Sequence, residues 1–198
     1  MHFRSGKLYG AIPLLIALLS ASGGVLADDD FRHLVDDARK ASVSILTQIR
    51  GEVTKEMERT GPIRAIVVCK YSAPEITSVV SRQTGMRVTR VALRVRNRAL
   101  GEADPWEQQA LLDFEKRLAK GEKIEALETS EIINEPAGKM FRYAKAIPMG
   151  QPCMACHGPV SGLSEAVKAQ LATEYPFDRA VDFQPGQIRG AVSVKKSL

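Results

Sequence analysis

Cys153, Met154, Ala155, Cys156 and His157 place two thiols three residues apart with an imidazole directly after the second. Thiols at that spacing can add to the two vinyl groups of one porphyrin, and the adjacent imidazole then falls beneath the iron as its proximal ligand. The pattern points first to one covalently attached haem c. Two other chemistries use overlapping donors. A redox disulfide between Cys153 and Cys156 is opposed by Gly150, Gln151 and Pro152, which stand where a thioredoxin-type pair would follow a strand. A closed zinc site of Cys69, Cys153, Cys156 and His157 has the right ligand count, but the adjacency of Cys156 and His157 would strain a tetrahedral centre.

An iron held by His157 has a second axial position, and residues 158–198 contain no Met, His or Cys. The sixth ligand must come from upstream, be a weaker donor or be missing. Met154 lies inside the attachment loop, and Met149 is tethered too closely to cross the porphyrin. His33 follows Phe31 by two residues, about 200° around a helical wheel, which puts it on the solvated face. Met57, Met86 and Met140 stand at helix or strand positions, where methionine is more often core filler than ligand. Cys69 is the odd cysteine of the chain. Its apolar approach, Ala65-Ile66-Val67-Val68, suits a small buried hydrophobe and an iron ligand equally.

Arg4 and Lys7, the apolar run 11–19 and Val25-Leu26-Ala27 before Asp28 have the form of an export leader occupying residues 1–27. The apolar run is too short to span a bilayer, so no stable membrane anchor is expected after cleavage. Residues 28–198 then make one domain in an oxidising periplasm, where haem c attachment takes place. The formal charge of +5 loses Arg4 and Lys7 with the leader, and two haem propionates bring the balance close to neutral. Such a balance predicts no nucleic-acid or membrane-surface partner.

The elements that must position these residues can be read from periodicity. Phe31, Leu34, Val35, Ala38, Ile45, Leu46, Ile49 and Val53 recur at helical spacing, giving an amphipathic helix over 31–59 closed by Gly61-Pro62. That length implies projection beyond the domain body or pairing with a second copy, a homodimer. Residues 63–71 fit a short buried helix or a buried strand. Ser72-Ala73-Pro74-Glu75 and Asp104-Pro105-Trp106-Glu107 have the form of capping boxes, starting helices that end near Gly85 and Gly121. Residues 88–98 alternate, with Val91, Leu93 and Val95 on one face and Arg90, Arg94, Arg96 and Arg98 on the other. That arginine face is either a solvated or docking surface or, through Arg94 and Arg96, a partner for haem propionates. Strands are expected at 123–130, 139–147 and 188–195, with Ile188, Val192 and Val194 sharing a face. A helix over 164–173 should stop at Tyr175-Pro176. The fold class is α+β.

Taken in order, Gly61-Pro62, Ala65-Ile66, Cys69, Ala73-Pro74-Glu75-Ile76, residues 87–97, Trp106-Glu107, the motif at 153–158, Tyr175-Pro176 with Asp178, and residues 186–191 resemble a family of PAS-like periplasmic domains carrying one c-type haem. Its members occur alone or as the sensing part of membrane receptors. The resemblance covers about residues 31–196. It implies a PAS-like antiparallel sheet with flanking helices and a long N-terminal helix. It further implies Cys69 as distal iron ligand opposite His157, with Cys153 and Cys156 as thioether anchors. One block departs: Arg98-Ala99-Leu100-Gly101 stands where a Pro- and Asn-containing turn is expected. Thiolate ligation stabilises ferric iron and lowers its potential, which favours redox or gas sensing towards a signalling partner protein. The alternative is a low-potential electron-transfer cytochrome with a redox partner. With His33 on the solvated face, no distal histidine supports an enzyme.

Overall fold

The computed structural model describes residues 1–2 and 23–198, so residues 3–22 of the leader expected at 1–27 lie outside the described residues. Among the described residues no helix is long and apolar enough to cross a membrane.

Helix α1 (Gly23–Thr60) has 38 residues and begins earlier than the apolar spacing required. Ala38, Ala41, Ile45 and Ile49 form its buried stripe, packed against Phe141, Tyr143, Val192 and Val194 of the sheet. The helix is also fastened by charge. Arg39 Nε donates to both oxygens of Glu128 at 3.0 and 3.2 Å, and Tyr143 Oη donates to the same carboxylate at 2.7 Å.

Gly61, at φ 82, turns the chain into α2 (Pro62–Val67), with proline in the first turn where its missing N–H costs nothing. A single π-turn, Val68–Ser72, then passes without a break into α3 (Ala73–Thr84). The stretch 63–71 is therefore helical. Ser72 caps nothing: its backbone is already helical at φ −71 and ψ −38, and the Ala73 N–H donates to Val68 O. The capping box expected there is absent because a continuous helix leaves no unpaired amide for it to satisfy. Gly85, in the left-handed region at φ 64, ends α3.

Strand β1 (Arg87–Val91) is shorter than expected, and α4 (Arg98–Gly101) occupies the departing block. Helix α5 (Pro105–Ala119) opens on the capping box formed by Asp104 and Glu107, both halves of which are made. A 3₁₀ turn, Ile124–Ala126, replaces the first part of the strand expected at 123–130, and β2 (Glu128–Glu135) starts later. A hairpin leads into β3 (Gly138–Pro148), followed by the one-turn α6 (Met154–His157), α7 (Glu165–Glu174) capped by Ser164, and β4 (Ile188–Ser197).

The four strands form one antiparallel sheet in the order β1-β4-β3-β2. Helices α1 and α3 cover one face. On the other, α5 packs Ala110, Leu111 and Phe114 against Ala144, Ala146 and Ala191. This is the α+β arrangement of antiparallel sheet and flanking helices.

At the far end of β4 the pairing jumps from Ile147↔Gly190 to Pro148↔Ile188, leaving Arg189 as the extra residue of a β-bulge. The bulge changes the face of Ile188, which packs with Ala191 and α5 and not with Val192 and Val194. Gly190 is required here, since a Cβ would stand 2.3 Å from Val91 O.

Candidate functional site

The motif residues lie on a 3₁₀ turn, Gln151–Cys153, running directly into α6. Two short helical turns put Cys153 and Cys156 about one turn apart on the same side. Cys156 packs against the cluster of Ile66, Leu163, Val167, Leu171 and Tyr175, whereas Cys153 and Met154 pack against Met149, Ala180 and Phe183. All three cysteines are unpaired in this structure. Among the described residues no three His, Cys, Asp or Glu side chains converge as a metal cage.

His157 is oriented by backbone. Its Nδ1 lies 2.7 Å from Ala180 O, and a carbonyl can only accept, so Nδ1 carries the proton and the lone pair stays on Nε2. Burial holds the imidazole well below its ordinary range, reinforced by the charges of Arg189 and Arg96. The loop supplying that carbonyl is itself sewn to the motif: Phe183 N–H donates to His157 O at 3.0 Å and Asp182 N–H to Gly158 O at 2.9 Å. Asp182 adopts φ 57 to do so, a conformation that aspartate tolerates better than most residues.

Cys69 lies in the π-turn, a helical irregularity frequent at functional sites. Burial raises its thiol, partly opposed by the charges of Arg90 and Arg96, and it is close enough to Cys153 and Cys156 for their charges to interact. The structure thus brings Cys69 into the same locality as Cys153, Cys156 and His157. The next residue anchors the turn. Lys70 Nζ donates to Glu174 O, lies 3.4 Å from the Glu174 carboxylate and sits 4.9 Å from the Tyr175 ring centre. Burial also pushes the Cys156 thiol up to about 11, against the lowering effect of Arg96.

The other axial candidates stand elsewhere. His33 is exposed on α1, Met86 is buried in the core beside α1, and Met140 is half-buried opposite Ile133. Met149 is buried beneath Cys153, Ala180 and Phe183, on the motif's own side. Met57 is half-buried near the end of α1.

The arginine face expected over 88–98 does not exist as a face, because β1 ends at Val91 and the chain leaves the sheet before Arg94. Arg96 is buried, not solvated, and acts as a bracket. Its Nε donates to Asp178 at 2.9 Å, and its Nη2 to Cys156 O at 2.5 Å and Ala180 O at 3.0 Å. Its Nη1 lies 3.4 Å from His157 Nε2. Arg94 donates to Val181 O at 2.9 Å and stacks 3.5 Å above the Phe183 ring. Arg96 is thereby fully engaged, whereas Arg94 is tied to the loop through Nη1 and its stacked face alone. Sequence reasoning passed over Asp178, Ala180 and Arg189 as site residues. Gly190 within a strand pattern was the one local signal, since such a glycine often marks a bulge.

The donor set fits a haem: two spaced thiols, an imidazole whose Nε2 is kept deprotonated, and a third thiol nearby. No curated protein matches this chain. The crystal structure of the cyanobacterial haem protein Tll0287 matches with a TM-score of 0.59 at 20% sequence identity, over 85% of this chain and 95% of that one, a likeness of fold. A family model described as Tll0287-like matches residues 31–197, nearly the whole of the described domain. The chain belongs to the Tll0287-like family.

Proposed function

We propose that this chain is an exported, single-haem c-type domain of the periplasm, with thioether anchors at Cys153 and Cys156, His157 as proximal ligand and Cys69 as distal ligand. The observation that carries the reading is the His157 geometry. A carbonyl fixed by the Phe183 and Asp182 backbone bonds consumes the Nδ1 proton and leaves the lone pair on Nε2, which lies 3.4 Å from Arg96 Nη1 in a site with two free thiols. The haem protein Tll0287, which shares the fold, supports the cofactor assignment.

Each residue then has a definable task. Cys153 and Cys156 hold the cofactor permanently, and Arg96 with Asp178 keeps the intervening turn in shape. Cys69 supplies negative charge that favours the ferric state, and the Lys70 contacts hold its turn in place. The bound haem supplies a one-electron couple. A thiolate ligand that weakens on reduction makes the domain a redox or gas sensor for a signalling partner, and no catalytic step is assigned to it.

The test is spectroscopic. Protein produced with a cytochrome-maturation system is expected to gain the mass of one haem, to keep it under denaturation and to lose it when Cys153 and Cys156 are both changed to Ser. Electron paramagnetic resonance of the ferric form is expected to show a low-spin thiolate signal that disappears in Cys69→Ser. An unchanged signal in that variant would remove Cys69 from the iron. Retention of six-coordinate iron in the reduced state would favour the electron-transfer cytochrome over the sensor.

A further inference from the structure

Around Cys69 and His157 the chain gathers more positive charge than it neutralises. Four guanidiniums are involved. Arg96 is matched by Asp178, and Arg94, which has no carboxylate partner among the described residues, gives Nη1 to the Val181 carbonyl and stacks closely on the Phe183 ring. Arg90 has no hydrogen-bond or ion-pair partner among the described residues, and it stands on β1 in register with Val192. Arg189 makes one hydrogen bond, from Nη1 to Arg94 O at 3.2 Å, and has no carboxylate partner among the described residues. Its guanidinium lies 5.6 Å from the Phe183 ring centre, and that ring meets the His157 ring edge-on at 6.2 Å.

The aim of Arg189 is built into the sheet. It is the extra residue of the β4 bulge, and bulges re-aim a side chain that regular pairing would send to the opposite face. Gly190 makes the bulge possible by letting β1 approach to a distance that no Cβ would permit. Burial weakens the protonation of both arginines, and repulsion from Arg96 and Arg90 helps bring Arg189 down to about 10. Both side chains are half-buried, and a cation drawn partly out of water without a carboxylate partner is costly, so such groups are kept where an anion arrives.

We propose that Arg90 and Arg189 are the anion-binding side of this site, taking the two propionate carboxylates of the haem. The proposal rests on the haem reading above and adds its orientation: the bulge end of β4 faces the propionate edge, and the motif turn faces the vinyl edge. Guanidinium suits the task because its fork matches a carboxylate in bidentate fashion. Of the two arginines that the sequence singled out for this role, Arg96 is committed to Asp178 and the motif carbonyls, and Arg94 holds the loop through Nη1 and its stack on Phe183.

The test uses the haem-loaded protein and four variants, Arg90→Gln, Arg189→Gln, Arg90→Lys and Arg189→Lys. Resonance Raman spectra are expected to show a shifted propionate-bending mode in each Gln variant. The reduction potential is expected to fall in both, because each loses a positive charge beside the iron. The Lys variants are expected to restore much of the potential while leaving the bending mode shifted, since they keep the charge and lose the fork. If a Gln variant fails to fold, its Lys counterpart decides by the Raman mode alone. Unchanged propionate modes in folded, haem-loaded variants would overturn the proposal. So would a changed thiolate signal in the Arg90 variants with propionate modes intact, which would assign Arg90 to the Cys69 sulfur. Wild-type protein carrying no covalent haem would instead sink the haem reading itself, before any arginine is tested.

Discussion

Arg96 and Asp178 form an ion pair whose side chains are only 7% and 10% exposed, and the guanidinium also satisfies two backbone carbonyls of the motif and its clasping loop. Removing one member of such a pair strands the other charge in a poorly solvated place. Arg96→Met is therefore expected to lower unfolding stability by about 3–5 kcal/mol, read from urea denaturation. Arg96→Lys should recover only part of that loss, because an ammonium cannot reach three acceptors in the fork's geometry. The sequence made Arg96 conspicuous but left its task open. Its partner lies 82 positions along the chain, and alternation within residues 88–98 carries no record of that distance. The Cys153 to His157 motif could be singled out in the sequence because its donors are near neighbours along the chain.

Two segments with the same capping signature behave differently. At Asp104 the backbone is extended, at φ −71 and ψ 172, so the amides of the first turn are free and both reciprocal bonds form. At Ser72 the chain arrives already helical, and the signature has nothing to cap. A four-residue pattern cannot report which of these applies, because the preceding helix decides. The Asp104 carboxylate also receives Arg142 at 2.6 Å and Lys195 at 2.7 Å, linking the start of α5 to β3 and β4. Asp104→Ala is expected to cost about 1 kcal/mol for the cap, with a further loss from the stranded cations. Asp104→Asn keeps a side-chain acceptor and removes the charge, so the difference between the two variants in thermal unfolding separates the contributions. The limits of β1 were equally hidden, since its apolar alternation runs on past Val91 while its pairing with β4 stops there.

Across the whole molecule, carboxylates on the two faces of the sheet hold the helical layers in place. Glu128 fastens α1, and Asp104 fastens α5. Burial raises both groups, but hydrogen bonds from Arg39 and Tyr143 to Glu128, and from Lys195, the Glu107 amide and Arg142 to Asp104, bring each down to about 2. Carboxyls depressed in the folded state contribute stability that is fully present above their unfolded values near 4 and is lost as pH falls through the folded values. Far-UV circular dichroism is expected to show acid unfolding developing between about pH 4 and 2. Glu128→Gln should be less stable at neutral pH and show a shallower dependence over that window. A melting temperature independent of pH there, in both proteins, would exclude these pairs as the cause. The layered α+β architecture was readable from element order and periodicity, whereas these ties across layers were not, because they join residues with no shared local pattern.

Strand β4 lies between β1 and β3 and is their common neighbour. It follows the C-x-x-C-H segment in the chain, and synthesis runs from the amino end. The two thiols at 153 and 156 therefore emerge before the strand that zips the sheet together. Until β4 is made, β1 has no partner and the Asp178 to Phe183 loop has no strand behind it. The nascent chain thus presents both thiols on an open scaffold, and completing the last strand closes the sheet behind them.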